Sequence, residues 1–256
     1  MSQPGKVDRQ PGYVLHTQAY RETSLLVDVL TRDHGRLVLV ARGARRPKAE
    51  LRGVLLPFHP LLLAWFGKGE VRTLHSADWQ GGLPQLSGRP LLCGFYFNEL
   101  LMRLTAREDP LPALYPLYGE ALQGLAGAAD LGSVVRRFEM GLVRALGYSP
   151  LLSQDAAGRP IEPARHYFCR PGEAPDADAP PAAVRGVWLS GATLQALADD
   201  DYTLASTQRE ARSLTRLLLA ELLDGTPLMT PRLLEAGAGA LSLTTGWPKA
   251  ADPSTE

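Results

Sequence analysis

The sequence predicts an α+β protein in which an N-terminal β-barrel precedes an α-helical domain with a small irregular, partly β-stranded insertion. Three observations support this prediction. Short stretches rich in Val and Leu alternate with turn residues in the first part of the chain, apolar residues at helical spacing dominate later, and a segment rich in Pro, Gly, Ala and Asp interrupts the helices. We expect the barrel at 1–80, the helical domain at 81–240 with its insertion at about 149–190, and a loosely ordered tail at 241–256.

The strands of the first part are expected to form two hairpins and to close into a barrel. The first hairpin turns at 32–35, where Gly35 can adopt the positive φ that such turns often need. The second turns at 67–70, where two glycines surround Lys68. Five strands with a long connection after the third are typical of an OB-fold barrel rather than a sandwich. We expect strands at 12–20, 24–30, 36–41, 61–66 and 71–77.

After a linker-like stretch at 81–90, the spacing of the apolar residues becomes that of helices. The clearest pattern lies at 133–146, where Val135 and Phe138 belong to one apolar face and Gly147 follows as a C-terminal stop. Further helices are expected at 91–106, 111–125, 191–198, 208–223 and 231–236.

The insertion is expected to contain little regular structure. Short strands are predicted at 166–169 and 184–189, where β-branched and aromatic residues cluster. The Pro-rich stretch at 171–181 buries little apolar surface, so we expect it to be a mobile loop.

Composition narrows the class of protein. Apolar residues make up 45% of the 256 residues and charged residues 21%, as in ordinary globular proteins. A membrane span requires a run of about 18 apolar residues, and the sequence has no such run. Its N-terminus also lacks the apolar core of a signal peptide. Two distant cysteines, Cys93 and Cys169, do not resemble a disulfide framework. These features predict a soluble, cytoplasmic protein.

The charge is distributed unevenly along the chain, although 27 basic and 27 acidic residues cancel overall. Residues 1–80 hold 12 Lys and Arg against 7 Asp and Glu, whereas residues 81–256 hold 15 against 20. This division predicts a protein that contacts nucleic acid with its N-terminal part and other proteins with the remainder.

Patterns that would indicate catalysis or a metal site are weak. The stretch 67–69 lacks the spacing and the hydroxyl of a phosphate-binding loop, and a Gly-x-Ser-x-Gly elbow is absent. His166 and Cys169 supply two of the four ligands that structural zinc normally takes, and Cys93 lies in an apolar helix where a buried thiol is expected. The acidic run 199–201 is interpreted as a solvated helix end. We expect no enzymatic activity, cofactor or metal.

One cluster of basic residues indicates a binding function, although a solvated loop is the alternative interpretation. Six positive residues between positions 36 and 52 are diluted by a single acidic residue, Glu50, and two more lie on the second hairpin. In an OB fold, basic loops and a strand face neutralise phosphates while exposed aromatic rings stack on bases. The predicted DNA-binding residues are Arg36, Arg42, Arg45, Arg46, Lys48, Arg52, Lys68 and Arg72.

Four aromatic residues of the predicted barrel are candidates for base stacking, and each is also a candidate for the core. They are Tyr20, Phe58, Trp65 and Phe66. Trp65 and Phe66 are adjacent and therefore point to opposite faces of a strand, so at least one of them should face outward.

Several short motifs, in this order and spacing, are shared with a known family. In the N-terminal part they are Gly12-Tyr13-Val14-Leu15, Glu22-Thr23-Ser24-Leu25-Leu26, Gly35-Arg36-Leu37, Ala41-Arg42-Gly43-Ala44-Arg45 and Leu56-Pro57-Phe58. Later they are Asn98-Glu99-Leu100-Leu101, Arg136-Arg137-Phe138-Glu139, Leu146-Gly147-Tyr148 and Pro227-Leu228-Met229-Thr230-Pro231-Arg232. In these motifs, which span nearly the whole chain, the sequence resembles the bacterial RecO family of DNA repair proteins.

The resemblance implies an OB-fold domain followed by a helical domain, in a non-enzymatic mediator of recombination. Such a protein binds single- and double-stranded DNA, anneals complementary strands and helps RecA replace single-strand-binding protein. The implied partners are RecR, RecA and the acidic C-terminal tail of single-strand-binding protein. The family's tail-binding site maps here onto Arg136 and Arg137, with Leu146 at the far end of the site. Arginines on a partly apolar helix suit an acidic peptide with an aromatic end.

The sequence departs from the family at a zinc motif that many members carry. Residues 155–158, Asp-Ala-Ala-Gly, stand where the first Cys-x-x-Cys-Gly would fall. We therefore expect no zinc, and we expect the fragment 158–168 to keep its local fold by packing and hydrogen bonding. The alternative functional interpretation is an OB-fold RNA-binding or translation-associated protein, which would share the basic barrel without needing a tail-binding helix.

Overall fold

The first part of the chain forms a five-strand barrel from β1 (Val7–Tyr20), β2 (Ser24–Thr31), β3 (Gly35–Ala41), β4 (Pro60–Phe66) and β5 (Val71–Trp79). The computed structural model describes residues 5–127, 130–150, 152–178 and 184–230. β1 pairs with β2 and β4, β2 with β3, and β4 with β5, all antiparallel, and parallel pairing of β3 with β5 completes the closed barrel. The predicted barrel and both hairpins are confirmed.

The long connection between β3 and β4 covers one end of the barrel. The interior is filled by fully buried side chains such as Val27, Leu63 and Trp65. A short helix in the connection, α1 (Leu51–Val54), packs its first and last side chains against this interior cluster. Strands enclose the sides of a closed barrel, so a helix that reaches its interior must do so at an end.

Five helices follow the barrel in the described part of the chain: α2 (Gly88–Leu104), α3 (Leu114–Gly127), α4 (Leu131–Ala145), α5 (Gly191–Ala198) and α6 (Ala205–Leu222). Asp130 caps α4 by accepting a hydrogen bond from the Gly132 amide, and Ser190 caps α5 through the Thr193 amide. The linker predicted at 81–90 ends earlier than expected, because α2 already begins at Gly88. The predicted helix at 231–236 and the tail at 241–256 lie outside the described residues.

The barrel and the helices share a continuous apolar core. Tyr13 and Phe58 of the barrel are buried in the same cluster as the helix residues Phe97 and Phe138. The two rings of Phe97 and Phe138 stack with their centroids 4.0 Å apart. Apolar burial across the boundary holds the barrel against the helices in one orientation.

Polar contacts of α2 explain one of the shared motifs. The Asn98 amide donates to the Leu15 carbonyl of β1 at 2.8 Å and accepts a hydrogen bond from the Tyr118 hydroxyl. The neighbouring Glu99 accepts hydrogen bonds from the Thr230 amide at 2.8 Å and from its hydroxyl at 2.7 Å. One pair of adjacent residues therefore joins α2 to the barrel and to the end of the described chain.

The insertion contains a two-stranded antiparallel sheet, β6 (His166–Cys169) and β7 (Val187–Ser190). β6 lies where it was predicted, and β7 begins three residues later than expected. The stretch up to residue 178 is more structured than a free loop, because Asp176 exchanges backbone hydrogen bonds with Phe168 and Pro175 is buried. The prediction of a mobile loop is wrong for this part, whose backbone groups find partners on β6.

A buried carboxylate organises the loop at 155–159, where the sequence departs from the motif that the family resemblance implies. Asp155 accepts hydrogen bonds from the Ala157 amide at 2.9 Å, and from the Arg159 amide and guanidinium at 2.8 Å each. Burial opposes its ionisation, but these hydrogen bonds outweigh burial and lower the pKa of Asp155 below its usual range. The fragment thus has the hydrogen bonding that the sequence predicts.

The described residues lack two features. None of the described helices is both long and apolar enough to cross a membrane. In the same ranges, no group of three or more His, Cys, Asp or Glu side chains is placed to hold a metal ion.

Candidate nucleic-acid interface and arginine groove

Four predicted residues form an exposed basic segment at the end of the barrel that α1 covers. Arg42, Arg46, Lys48 and Arg52 are all exposed, and none of them has an ion-pair partner within the described part of the chain. We call residues 42–52 the basic loop. Positive charges without carboxylate partners remain available to an anion from solution.

Arg45 fastens the basic loop to the turn between β1 and β2. Its guanidinium donates to the carbonyls of Arg21 at 3.2 Å and Glu22 at 3.1 Å, and its amide donates to the Thr23 carbonyl at 2.9 Å. Arg21 is itself exposed, with its guanidinium 5.2 Å from the centre of the Tyr20 ring. Sequence reasoning missed Arg21, because the adjacent Glu22 cancels its charge and the turn lies far from the basic loop in the sequence.

Arg36 and Arg72 lie apart from this surface and hold the helices against the barrel. Arg36 donates twice to the Thr105 carbonyl, at 2.9 and 3.3 Å, and pairs with Asp28 at 3.2 Å, which leaves its side chain only 12% exposed. Arg72 pairs with Glu108 at 2.7 Å and is 18% exposed. Their guanidinium groups already have carboxylate partners, so the structure does not support their predicted role in DNA binding.

Lys68 lies on the turn between β4 and β5, apart from the basic loop. It is exposed between Gly67 and Gly69, both of which have a positive φ. The structure therefore brings together the five predicted residues of the basic loop, Arg45 among them, but it places Lys68 on a different connection.

The four aromatic candidates are mostly unavailable for stacking. Trp65 is fully buried in the barrel and Phe58 is buried against the helices. Phe66 is half-buried, with its ring 6.3 Å from that of His75, and Tyr20 is half-buried beside Arg21. The expectation for the adjacent pair is met, since Trp65 points inward and Phe66 outward.

Arg136 belongs to a buried polar network between three helices. It forms an ion pair with Glu139 and donates to the Thr215 hydroxyl at 3.0 Å. That hydroxyl and the Tyr96 hydroxyl both donate to Glu139, at 2.6 and 2.7 Å. Burial and the Glu139 charge raise the pKa of Tyr96 far above its ordinary value, so its hydroxyl remains a donor.

Arg137 lies on a different face of α4 from Arg136. It pairs with Asp200 at 2.8 Å and its guanidinium lies 5.5 Å from the centre of the Tyr202 ring. Leu146 is half-buried just after the end of α4, about 15 Å along the helix axis from Arg136. The three residues implied by the family resemblance therefore do not form a single cluster.

A groove of about 1270 Å³ opens beside Arg136, between α2, α4 and α6. Arg209, Arg212 and Arg216 of α6 line it at a spacing that places them on one helix face, and Arg89 lines it from α2. These four arginines are exposed and have no carboxylate partner among the described residues. We call this cleft the arginine groove.

The floor of the arginine groove is apolar. Leu92, Val135, Leu219 and Leu228 contribute to it, and Glu139 is the one carboxylate among its lining residues in the described chain. A cleft with a cationic rim and an apolar floor suits a ligand that is both acidic and apolar. Sequence reasoning missed its rim, although the spacing of the three α6 arginines was a readable signal.

Comparison with known proteins identifies the family. Residues 6–82 match the family model described as Recombination protein O N terminal, and residues 86–232 match Recombination protein O C terminal. A DNA repair protein RecO of Chromobacterium violaceum is 56% identical, over 92% of this chain and 98% of that protein. Proteins of the same name from Laribacter hongkongensis and Aromatoleum aromaticum are 52% and 46% identical, over 91% and 92% of this chain and 96% and 98% of theirs. With its five-strand barrel and following helices, the chain belongs to the RecO family of DNA repair proteins.

Proposed function

We propose that this chain is a non-enzymatic mediator of DNA repair that binds single- and double-stranded DNA through the barrel. The observation that carries the proposal is the basic loop, whose exposed charges have no carboxylate partners in the described chain. Its proposed phosphate contacts are Arg42, Arg45, Arg46, Lys48 and Arg52, with Arg21 beside them and Lys68 apart from them on the turn between β4 and β5. Arg36 and Arg72 are left out because they serve the contact between barrel and helices.

We infer that the arginine groove binds a second anionic partner, which is an acidic peptide. The acidic tail of single-strand-binding protein, an implied partner of this family, is both anionic and apolar at its end. Arg209, Arg212 and Arg216 provide bidentate donors for its carboxylates, while the leucines and valine of the floor contact its apolar side chains. Arg136 contributes to the rim, but Glu139 already compensates its charge.

Two separate binding surfaces explain how one chain promotes annealing without a covalent step. Phosphates held by the basic loop repel a second strand less strongly than free phosphates do, which lowers the barrier to pairing. Attachment to the tail of single-strand-binding protein raises the local concentration of the chain on coated DNA, so modest affinities suffice. Assistance to RecA, and partnership with RecR, are proposed from the family alone.

Charge reversal on the basic loop tests the DNA surface. Arg42→Glu with Arg46→Glu should weaken binding to a labelled single strand and to a duplex. It should also reduce the slope of log affinity against log salt by about 0.7–0.9 for each phosphate that the loop no longer neutralises. The control combines Arg107→Glu with Arg185→Glu, which changes the net charge equally at exposed arginines outside the barrel. Equal binding by the loop variant and the parent would refute the role of the loop.

Charge reversal in the arginine groove tests the second surface. Arg212→Glu with Arg216→Glu should abolish retention on an immobilised tail peptide while leaving binding to naked DNA intact. These exposed arginines are preferred to Arg136, because removing Arg136 would leave Glu139 buried without its counter-charge. Loss of peptide and DNA binding together would contradict two separate sites.

Tighter binding to RNA than to DNA of the same sequence would favour the RNA-binding alternative.

A further inference from the structure

Trp79 is the most exposed aromatic side chain of the described residues, at 60%. It was not among the stacking candidates that the sequence indicates. Its exposed indole offers a large aromatic face on which a flat ligand can stack.

The position of Trp79 is defined by strand pairing and by one neighbouring ring. It is the last residue of β5 and pairs with Leu61 of β4, and the following amide of Gln80 donates to the Pro60 carbonyl at 3.0 Å. Its ring lies against that of His59, with centroids 6.0 Å apart and planes at 82°. A side chain whose backbone is anchored and whose ring has a neighbour loses less conformational entropy when a flat ligand stacks on its exposed face.

Trp79 lies toward the same end of the barrel as the basic loop. β3 and β5 run parallel, so the loop that leaves β3 after Ala41 and the residue that ends β5 point in the same direction. α1 packs beside β5 at this end, and Arg52 of α1 is exposed there. The nearest acidic neighbour in sequence, Asp78, is directed to the opposite face of the strand by the alternation of strand side chains.

We propose that Trp79, supported by His59, is the stacking platform for an unpaired base of single-stranded DNA whose phosphates lie on the basic loop. This inference rests on the proposed function and adds the contact that distinguishes a single strand from a duplex. The bases of a duplex are stacked on one another and offer no free face to the indole. Single-strand binding therefore uses the platform and the loop, whereas duplex binding uses the loop alone.

The test measures binding of the full chain to labelled oligo(dT) and to a duplex of equal length at the same salt concentration. Stacking on one aromatic ring changes single-strand affinity by about 5- to 150-fold. Trp79→Ala should therefore weaken oligo(dT) binding within that range and leave duplex binding unchanged, whereas Trp79→Phe should keep most of the affinity. Trp188→Ala is the matched control, since Trp188 is 46% exposed on β7, in the insertion.

Quenching of tryptophan fluorescence by DNA provides a second readout, which reports contact with the indole ring directly. Oligo(dT) should quench the tryptophan fluorescence of the parent and of the Trp188→Phe variant, and the Trp79→Phe variant should lose most of this quenching. Unchanged quenching in Trp79→Phe would overturn the platform.

The outcomes also separate this inference from the proposed function. If reversal of Arg42 and Arg46 weakens binding to both DNAs while Trp79→Ala matches the parent on oligo(dT), the platform is refuted and the DNA surface stands. Equal losses on oligo(dT) and duplex would likewise overturn the platform. Normal DNA binding by Trp79→Ala combined with loss of RecR binding would assign the ring to a protein interface instead. If none of these variants changes DNA binding, the proposed function itself fails.

Discussion

Replacement of Arg36 separates a structural role from a DNA-binding role. Its guanidinium donates to the Thr105 carbonyl and pairs with Asp28, and its side chain is only 12% exposed. A hydrogen bond from a charged donor contributes about 1.5–3 kcal/mol, and a partly exposed ion pair about 0.2–1 kcal/mol. We therefore expect Arg36→Ala to lower the free energy of unfolding by about 2–4 kcal/mol.

Urea unfolding, followed by circular dichroism, measures this change, and titration of labelled DNA without denaturant measures affinity. Arg52→Ala is the control, because Arg52 is exposed on α1 and has no ion-pair partner in the described chain. We expect Arg52→Ala to change stability by less than about 0.5 kcal/mol while weakening DNA binding. We expect Arg36→Ala to lower stability while leaving DNA binding unchanged. An Arg36→Ala protein with parental stability and weakened DNA binding would refute the structural assignment.

Three other substitutions test the contacts that organise the fold and the proposed partner site. Asp155→Ala should destabilise the insertion at neutral pH, measured by hydrogen exchange of its amides. Since the folded pKa of Asp155 is lowered, its contribution is present above its unfolded pKa of about 3.9 and disappears as the pH falls through the folded pKa, so parent and variant should converge in acid. Gly35→Ala should cost about 1–3 kcal/mol in thermal or urea unfolding, because Gly35 has φ +65° and an added Cβ would overlap the Asp109 carbonyl oxygen. A parental midpoint would contradict this. Arg137→Ala should cost at most about 1 kcal/mol, because its pair with Asp200 is exposed, and should keep retention on the tail peptide. A variant that no longer binds the peptide would restore Arg137 to the tail-binding site.

The sequence predicted most elements of this fold because their patterns are local. Alternating and near-continuous apolar runs indicated the five strands, and the helix at 133–146 was indicated by a face that the structure buries. The mobile loop was predicted wrongly for its described part, because the partner of Asp176 lies on β6, and composition does not reveal such a pairing.

The candidate site was less predictable than the fold. Charge density identified the basic loop, since clustered arginines are visible in one dimension. It also included Arg36 and Arg72, because their partners Asp28, Thr105 and Glu108 lie elsewhere in the chain. The sequence did not indicate the arginine groove, because α2, α4 and α6 contribute to it from distant parts of the chain.

The sequence by itself determined the class of fold, the family and the presence of a basic segment, because hydrophobic period, short motifs and net charge are properties of neighbouring residues. Only the tertiary structure decided which charges remain free. An arginine stays available to an anion or stabilises the protein according to whether a carboxylate or carbonyl from another element reaches it, and that depends on how the barrel packs against the helices. The same packing buried Trp65 and left Trp79 in solvent, a difference that no local pattern encodes.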